Sequence, residues 1–182
     1  RLSAPGTRCA RAVVRGVMST VMQLRTFQDS DAESVAANAD NPRVAQYLPD
    51  VFPSPYTLED AKWWVTTGHK LGHVCNRAIV IDEKCAGSIG ATLYEGMYRH
   101  TAQLGYWIGE PYWGKGVTTR AVMEFSSYVI SEFGIMRLYA PVVHSNAASM
   151  AVLRKAGFTC EAVFKSNILL RGKFYDEHIY AK

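Results

Sequence analysis

Between Gly105 and Arg120 the chain reads GYWIGEPYWGKGVTTR, an apolar strand that runs through a glycine-rich turn into a helix. A turn of this kind aims several backbone N–H groups at one point, and a helix starting at Val117 adds the positive end of its dipole. Gly114, Lys115 and Gly116 therefore mark a place for a phosphate. A nucleotide P-loop is the first rival, since Gly109, four residues and then Gly114-Lys115 nearly spell it. That motif needs Ser or Thr next, to hold magnesium, and Gly116 stands there instead. Pro111 also removes an N–H from the would-be cradle.

The elements that must position this turn can be read in chain order. Val21 to Phe27 reads as a first strand. Asp29-Ser30-Asp31 caps a helix to about Ala39, with Glu33 in its first turn. A loop with Pro42, Pro49, Pro53 and Pro55 follows, and Thr57-Leu58-Glu59-Asp60 has the form of a capping box opening a helix through Trp63 and Trp64 to about Lys70, with its end near Gly68 or Gly72. Ala78 to Ile81 and Ser88 to Tyr94 form a hairpin around Asp82-Glu83-Lys84, and Thr101 to Ile108 is the next strand. Val122, Phe125, Val129 and Phe133 recur at helical spacing after the glycine turn, and Gly134 stops that helix. Met136 to Val143 reads as a buried strand. Ser145-Asn146 caps a short helix to about Lys155, which Gly157 ends. Phe158 to Ser166 and Phe174 to Ala181 make a last hairpin around Arg171-Gly172-Lys173. The order β-α-α-β-β-β-α-β-α-β-β predicts a mixed α/β sheet with helices on both faces.

Composition narrows the classes. The 182 residues, 48% of them hydrophobic, suit one domain with a sizeable core. The net charge of +4 resides in residues 1 to 20, where Arg1, Arg8, Arg11 and Arg15 meet no acid. Removing these four from the 20 basic residues leaves a body balanced against its 16 acidic ones. No basic face for nucleic acid is expected. The opening segment has the composition of an organelle transit peptide but equally that of translated upstream sequence, with Met18 and Met22 as candidate starts. It is treated as an extension, and residues 21–182 as the domain. Cys9, Cys75, Cys85 and Cys160 form no CxxC pair, which fits reduced thiols and a cytoplasmic enzyme. No membrane association is expected, since no apolar run approaches a span. His69 and His73 stand four apart near Cys75, but cations at a helix end explain them more simply than a metal, and none is expected.

Tyr112-Trp113-Gly114-Lys115-Gly116 before the long helix, with Asn146-Ala147-Ala148-Ser149 before Lys155-Ala156-Gly157-Phe158, resembles the GNAT superfamily of acyl-CoA-dependent N-acetyltransferases. The likeness runs from about residue 22 to 181 and is closest to the RimJ/RimL branch, whose members acetylate protein N-termini, chiefly of ribosomal proteins, and small amines. It implies about seven strands, mostly antiparallel, bulged before the glycine turn and splayed between the fourth and fifth strands, where the pantetheine arm of acetyl-CoA lies. By the same likeness Tyr106, Trp107 and Ile108 border the acyl arm, and a backbone N–H near Ile108 or Gly109 faces the thioester carbonyl. Trp113, Gly114, Lys115, Gly116, Val117 and Thr118 would cradle the pyrophosphate. Pro111 departs from the family, which often has Gln or Arg there.

Acetyl transfer to an amine needs a deprotonated amine, a stabilised oxyanion and a protonated leaving thiolate. The resemblance implies that Ser149 protonates the sulfur, because Leu153 stands where many members carry a tyrosine. Asn146, one turn earlier, would bond the pantetheine or acyl arm; its plain alternative is helix capping. No acid stands near Asn167 and Ile168, where some members place a general base. Glu95, Glu110, Asp176, His178 and water remain as candidates. The Leu48 to Tyr56 loop and the Trp63-Trp64 pair are expected near the acceptor, and one tryptophan is free to line the cleft or a homodimer contact. The implied reaction is direct transfer to a protein N-terminus or small amine. A CoA-binding sensor that has lost turnover is the alternative.

Overall fold

A computed structural model describes residues 21–182; the arginine-rich extension lies outside the described residues. The strands are β1 (Met22–Arg25), β2 (Val74–Ile81), β3 (Lys84–Leu93), β4 (Thr101–Ile108), β5 (Arg137–Val143), β6 (Thr159–Leu170) and β7 (Lys173–Ala181). The helices are α1 (Ala32–Ala39), α2 (Pro42–Ala45), α3 (Leu58–Thr66), α4 (Val117–Phe133) and α5 (Ala147–Lys155). All seven strands join one open sheet in the order β1-β2-β3-β4-β5-β7-β6, in which only β4 and β5 are parallel.

Alternation along each strand sends side chains to two cores. On one face Leu104, Ile108, Leu138, Ala140 and Val142 pack with Val122, Phe125 and Val129 of α4 and Leu153 of α5. Val122, Phe125, Val129 and Leu153 are all 0% exposed, each contributing roughly 1.5–3 kcal/mol by burial. On the other face Ala78, Val80 and Cys85 meet Val35 of α1 and Ala61 and Val65 of α3, with Trp107 against them.

The feature that positions the site is the junction of β4 with its neighbours. Toward β3 it is paired without interruption from Ile108↔Gly87 to Ala102↔Leu93. Toward β5 the pairing covers Thr101, Gln103 and the residue between them, then stops. Beyond Tyr139, β5 pairs only with β7. The two strands part and leave a wedge, as expected, but β4 pairs with β3 in one register without the expected bulge; register shifts lie in the β2–β3 and β6–β7 pairs instead.

Four other expectations shift. The proline-rich stretch contains α2, started by Pro42 at its first turn and by the Asn41 side chain, which accepts from Arg43 N at 2.9 Å. The α3 helix stops at Thr66, and a 3-10 turn, Gly68–Lys70, completes the span read as helix. β2 begins at Val74, and β6 continues to Leu170 past an irregularity at Ser166, whose φ is 50°.

Candidate active site

Where β4 ends, ladder alternation decides which backbone groups face the wedge. Gly109 N–H donates to Ala86 O at 2.8 Å, on the β3 side. The Ile108 N–H and carbonyl consequently turn to the open side, where the carbonyl accepts from Trp113 Nε1 at 2.9 Å. Of the two amides expected to face a thioester, Gly109 is thus already committed to the sheet and Ile108 is the one that faces the gap. Gly109 does not serve as glycine through conformational freedom, since its φ is −59°. A Cβ there would lie 2.2 Å from Asn38 Oδ1, and Asn38 Nδ2 is itself bonded to Ser34 O and Cys85 O. Close packing from α1 fixes the strand end.

The turn that follows needs glycine for the other reason. Gly114 and Gly116 have φ of 71° and 74°, and a Cβ at either would meet nothing within 4 Å, so the backbone is left-handed and opens to free space. Gly116 caps α4 without a side-chain bond, and no acid stands in the first turn, which leaves the N–H groups at Val117 and Thr118 available to an anion. Trp113 is partly exposed, and Lys115 Nζ sits 6.0 Å from the Tyr112 ring centroid.

Across the wedge, Asn146 caps α5 by accepting from Ser149 N at 3.1 Å. Its Nδ2 has no partner among the described residues. Capping and ligand binding are therefore compatible, because they use different atoms of one amide. Ser149 Oγ lies 2.8 Å from Tyr106 Oη, a bond from β4 to α5 that spans the gap. Burial pushes the Tyr106 hydroxyl up to about 12 against the opposing effect of Ser149, so it stays protonated at neutral pH. Sequence singled out both residues but not this bond, which joins positions 43 apart.

The candidate bases separate by face. Asp176 and His178 share the α4/α5 face with Tyr180, whereas Glu177, between them, shares the opposite face with Val143, Trp107 and Tyr139. Glu177 accepts from Asn167 Nδ2 at 2.7 Å and stands on the strand next to β5. It was hidden because its alternation becomes meaningful only once β7 is paired with β5. Asp176 supports its hairpin: hydrogen bonds from Lys165 and from Ser166 N hold its carboxyl below the usual range. Glu110 is bound by Arg43 and by Asn41 Nδ2. Glu95 is an exposed surface carboxylate 3.4 Å from His73.

His69 does not join His73. It is buried, with Nδ1 2.8 Å from Trp64 O and its ring 5.1 Å from Phe27. Trp64 packs in that same cluster, and Trp63, 54% exposed, lies where a Cβ on Gly68 would touch it. The Trp107 ring meets Phe52, 5.9 Å away, from the Leu48 to Tyr56 loop.

The segment around α2 bridges both lips of the wedge. At the β4 lip, Asn41 and Arg43 hold Glu110, and the Arg43 guanidinium lies 5.2 Å from the Trp113 ring centroid. At the β5 lip, Tyr47 Oη donates to Ser145 O at 3.1 Å, and from the β6–β7 turn Arg171 donates to Ala45 O at 2.9 Å.

Comparison with known proteins agrees with this geometry. Residues 22–159 match the family model described as "Acetyltransferase (GNAT) domain". The chain is 28% identical over 159 residues to the uncharacterized N-acetyltransferase YnaD of Bacillus subtilis, covering 87% of this chain and 91% of that one. Among solved structures, Mycobacterium smegmatis RimJ in complex with CoA-disulfide superposes with a TM-score of 0.81 at 21% identity, over 90% of this chain and 82% of that one. RimL, a ribosomal L7/L12 alpha-N-protein acetyltransferase in complex with coenzyme A, does so with 0.76 at 23% identity, over 91% and 95%. At these identities the structures share the fold. With its family model, its named relatives and its parted strands in agreement, the chain belongs to the GNAT family of acyl-CoA-dependent N-acetyltransferases.

Proposed function

We propose that the protein transfers the acetyl group of acetyl-CoA directly to a primary amine, either a protein N-terminus or a small amine. The observation that carries this reading is the parting of β4 from β5 beyond Gln103, with a free amide edge on one side and Ser149 on the other.

In this reading Gly114, Lys115, Gly116, Val117 and Thr118 hold the pyrophosphate, with Trp113 beside them. Trp107, Ile108 and Asn146 border the pantetheine and acyl arm, and the Ile108 N–H stabilises the developing oxyanion. Ser149, held in place by the Tyr106 hydroxyl 2.8 Å away, gives its proton to the departing sulfur, and the Ser149–Tyr106 pair regains one proton from water once the products leave. Glu177, one strand from the gap on the acceptor side, takes the amine proton through water. Glu177→Gln then lowers kcat about tenfold or more; an unchanged kcat removes it from the reaction. RimL, described as a ribosomal L7/L12 alpha-N-protein acetyltransferase, acts on a protein amine, which supports that acceptor class here.

The alternative, a CoA-binding sensor, draws on the engagement of Glu110 and Asp176 in ion pairs, which takes two sequence-suggested bases out of play. Free-thiol release from acetyl-CoA, measured with peptides and amines side by side, separates the two. The enzyme gives acceptor-dependent release; binding of CoA with no release for any acceptor supports the sensor.

A further inference from the structure

At the narrow end of the wedge, on the face that carries α1 and α3, Tyr94, Tyr98, Thr101, Arg137 and Tyr139 line a depression of about 360 Å³. We propose that it holds an apolar or aromatic side chain of a peptide acceptor, about five residues from the reacting amine. The proposal rests on the acetyltransferase reading with a protein N-terminus as acceptor.

The chemistry of the lining selects the ligand class. The Tyr94 and Tyr139 rings stack at 6.4 Å with 10° between their planes, and their hydroxyls lie 2.8 Å apart. Both also reach Gln103 Oε1 at 3.1 Å. Their polar ends are thus spent on each other and on Gln103, and the rings are held rigid. Arg137 offers no spare charge, because Glu161 takes two of its N–H groups. What remains for a guest is aromatic surface, with Tyr98 at 61% exposure as one wall.

Position links the depression to the reacting end. Thr101, Gln103 and Trp107 lie on one face of β4, and the residue between the latter two on that face is Gly105. A Cβ at Gly105 would meet nothing within 4 Å, so the face of β4 is open between Gln103 and Trp107, a trough one residue long. From Gln103 to Ile108 the distance is about 16 Å at the usual strand rise, the reach of about five extended peptide residues. The wide end of the wedge on this face is spanned by the α2 segment, through Glu110 at one lip and Ser145 at the other. The trough therefore leads a chain in from the tyrosine end.

The test uses the full chain, a set of octapeptides whose fifth residue is phenylalanine, alanine or aspartate, and a dipeptide acceptor too short to reach. The expected result is a KM about fivefold or more lower for the phenylalanine peptide than for the aspartate peptide. Tyr98→Ala, at an exposed position, abolishes that difference and leaves the dipeptide's kcat/KM unchanged. Octapeptides acetylated without regard to their fifth residue, or a Tyr98→Ala effect equal for dipeptide and octapeptide, overturn the subsite alone. If small amines are acetylated and no peptide is, the protein-amine reading fails and takes the subsite with it.

Discussion

Strand β4 has two edges with opposite fates. Along the β3 edge every residue from Ala102 to Ile108 is paired, whereas along the β5 edge pairing ends at Gln103. The same residues serve both edges, so the difference lies in what packs around them. On the closed side Gly87 allows the Trp107 carbonyl to approach to where a Cβ would be only 2.2 Å away. On the open side Trp113 takes the Ile108 carbonyl, Tyr106 bonds to Ser149, and no strand among the described residues takes the amides. An unpaired buried N–H costs about 1–3 kcal/mol, and Ile108 is 7% exposed. This open edge is the feature on which the proposed acetyl-CoA site rests.

Substitutions on the two edges should therefore fail in different ways. The largest effect is expected on the open side: Ser149→Ala lowers kcat about 100-fold with acetyl-CoA affinity within about twofold, read by steady-state kinetics and calorimetry. Next, on the closed side, Gly87→Val forces a side chain into the Trp107 carbonyl and lowers stability by about 2–3 kcal/mol in denaturant unfolding. Gly105→Ala, on the same β4 but facing open space, costs under about 1 kcal/mol. At the mouth of the open side, Gly116→Val must adopt a φ of 74° and weakens acetyl-CoA binding about tenfold with little change in kcat.

The smallest effect lies away from β4, in the turn before α1. Burial raises the Asp31 carboxyl, but the bonds from Arg25 and from Gln28 N outweigh it and leave the group below its usual range. A carboxyl depressed on folding adds stability above its unfolded value, about pH 4, and loses it as pH falls through the folded value. The Tm advantage of the wild type over Asp31→Asn should shrink below about pH 4. A gap that is unchanged down to about pH 2, below the usual carboxylate range, contradicts the pair's role.

Local chemistry made much of the fold readable. Thr101–Ile108 was bounded by its apolar run, α4 by its spacing between Gly116 and Gly134, and α5 by the Asn146 cap. The glycine turn was legible for the same reason, because left-handed backbone restricts residue type. α2 escaped notice since a four-residue helix has no period to read. The reason for glycine at 109 is the approach of Asn38, which no neighbour in sequence announces. The Tyr106–Ser149 bond, the bridging contacts of Asn41 to Tyr47 and the facing of Glu177 all depend on which strands become neighbours. Asp176 and His178 drew attention as residue types, and pairing set them on the α4/α5 face, opposite Trp107 and Glu177.

The open edge can be examined directly by amide hydrogen exchange at single-residue resolution, with and without coenzyme A. The account predicts that the Tyr106 and Ile108 amides gain protection when coenzyme A binds, while Gly109, already bonded to Ala86, is unchanged. Binding that leaves Tyr106 and Ile108 exchanging as before would show that the ligand lies elsewhere and would contradict the central role of the wedge.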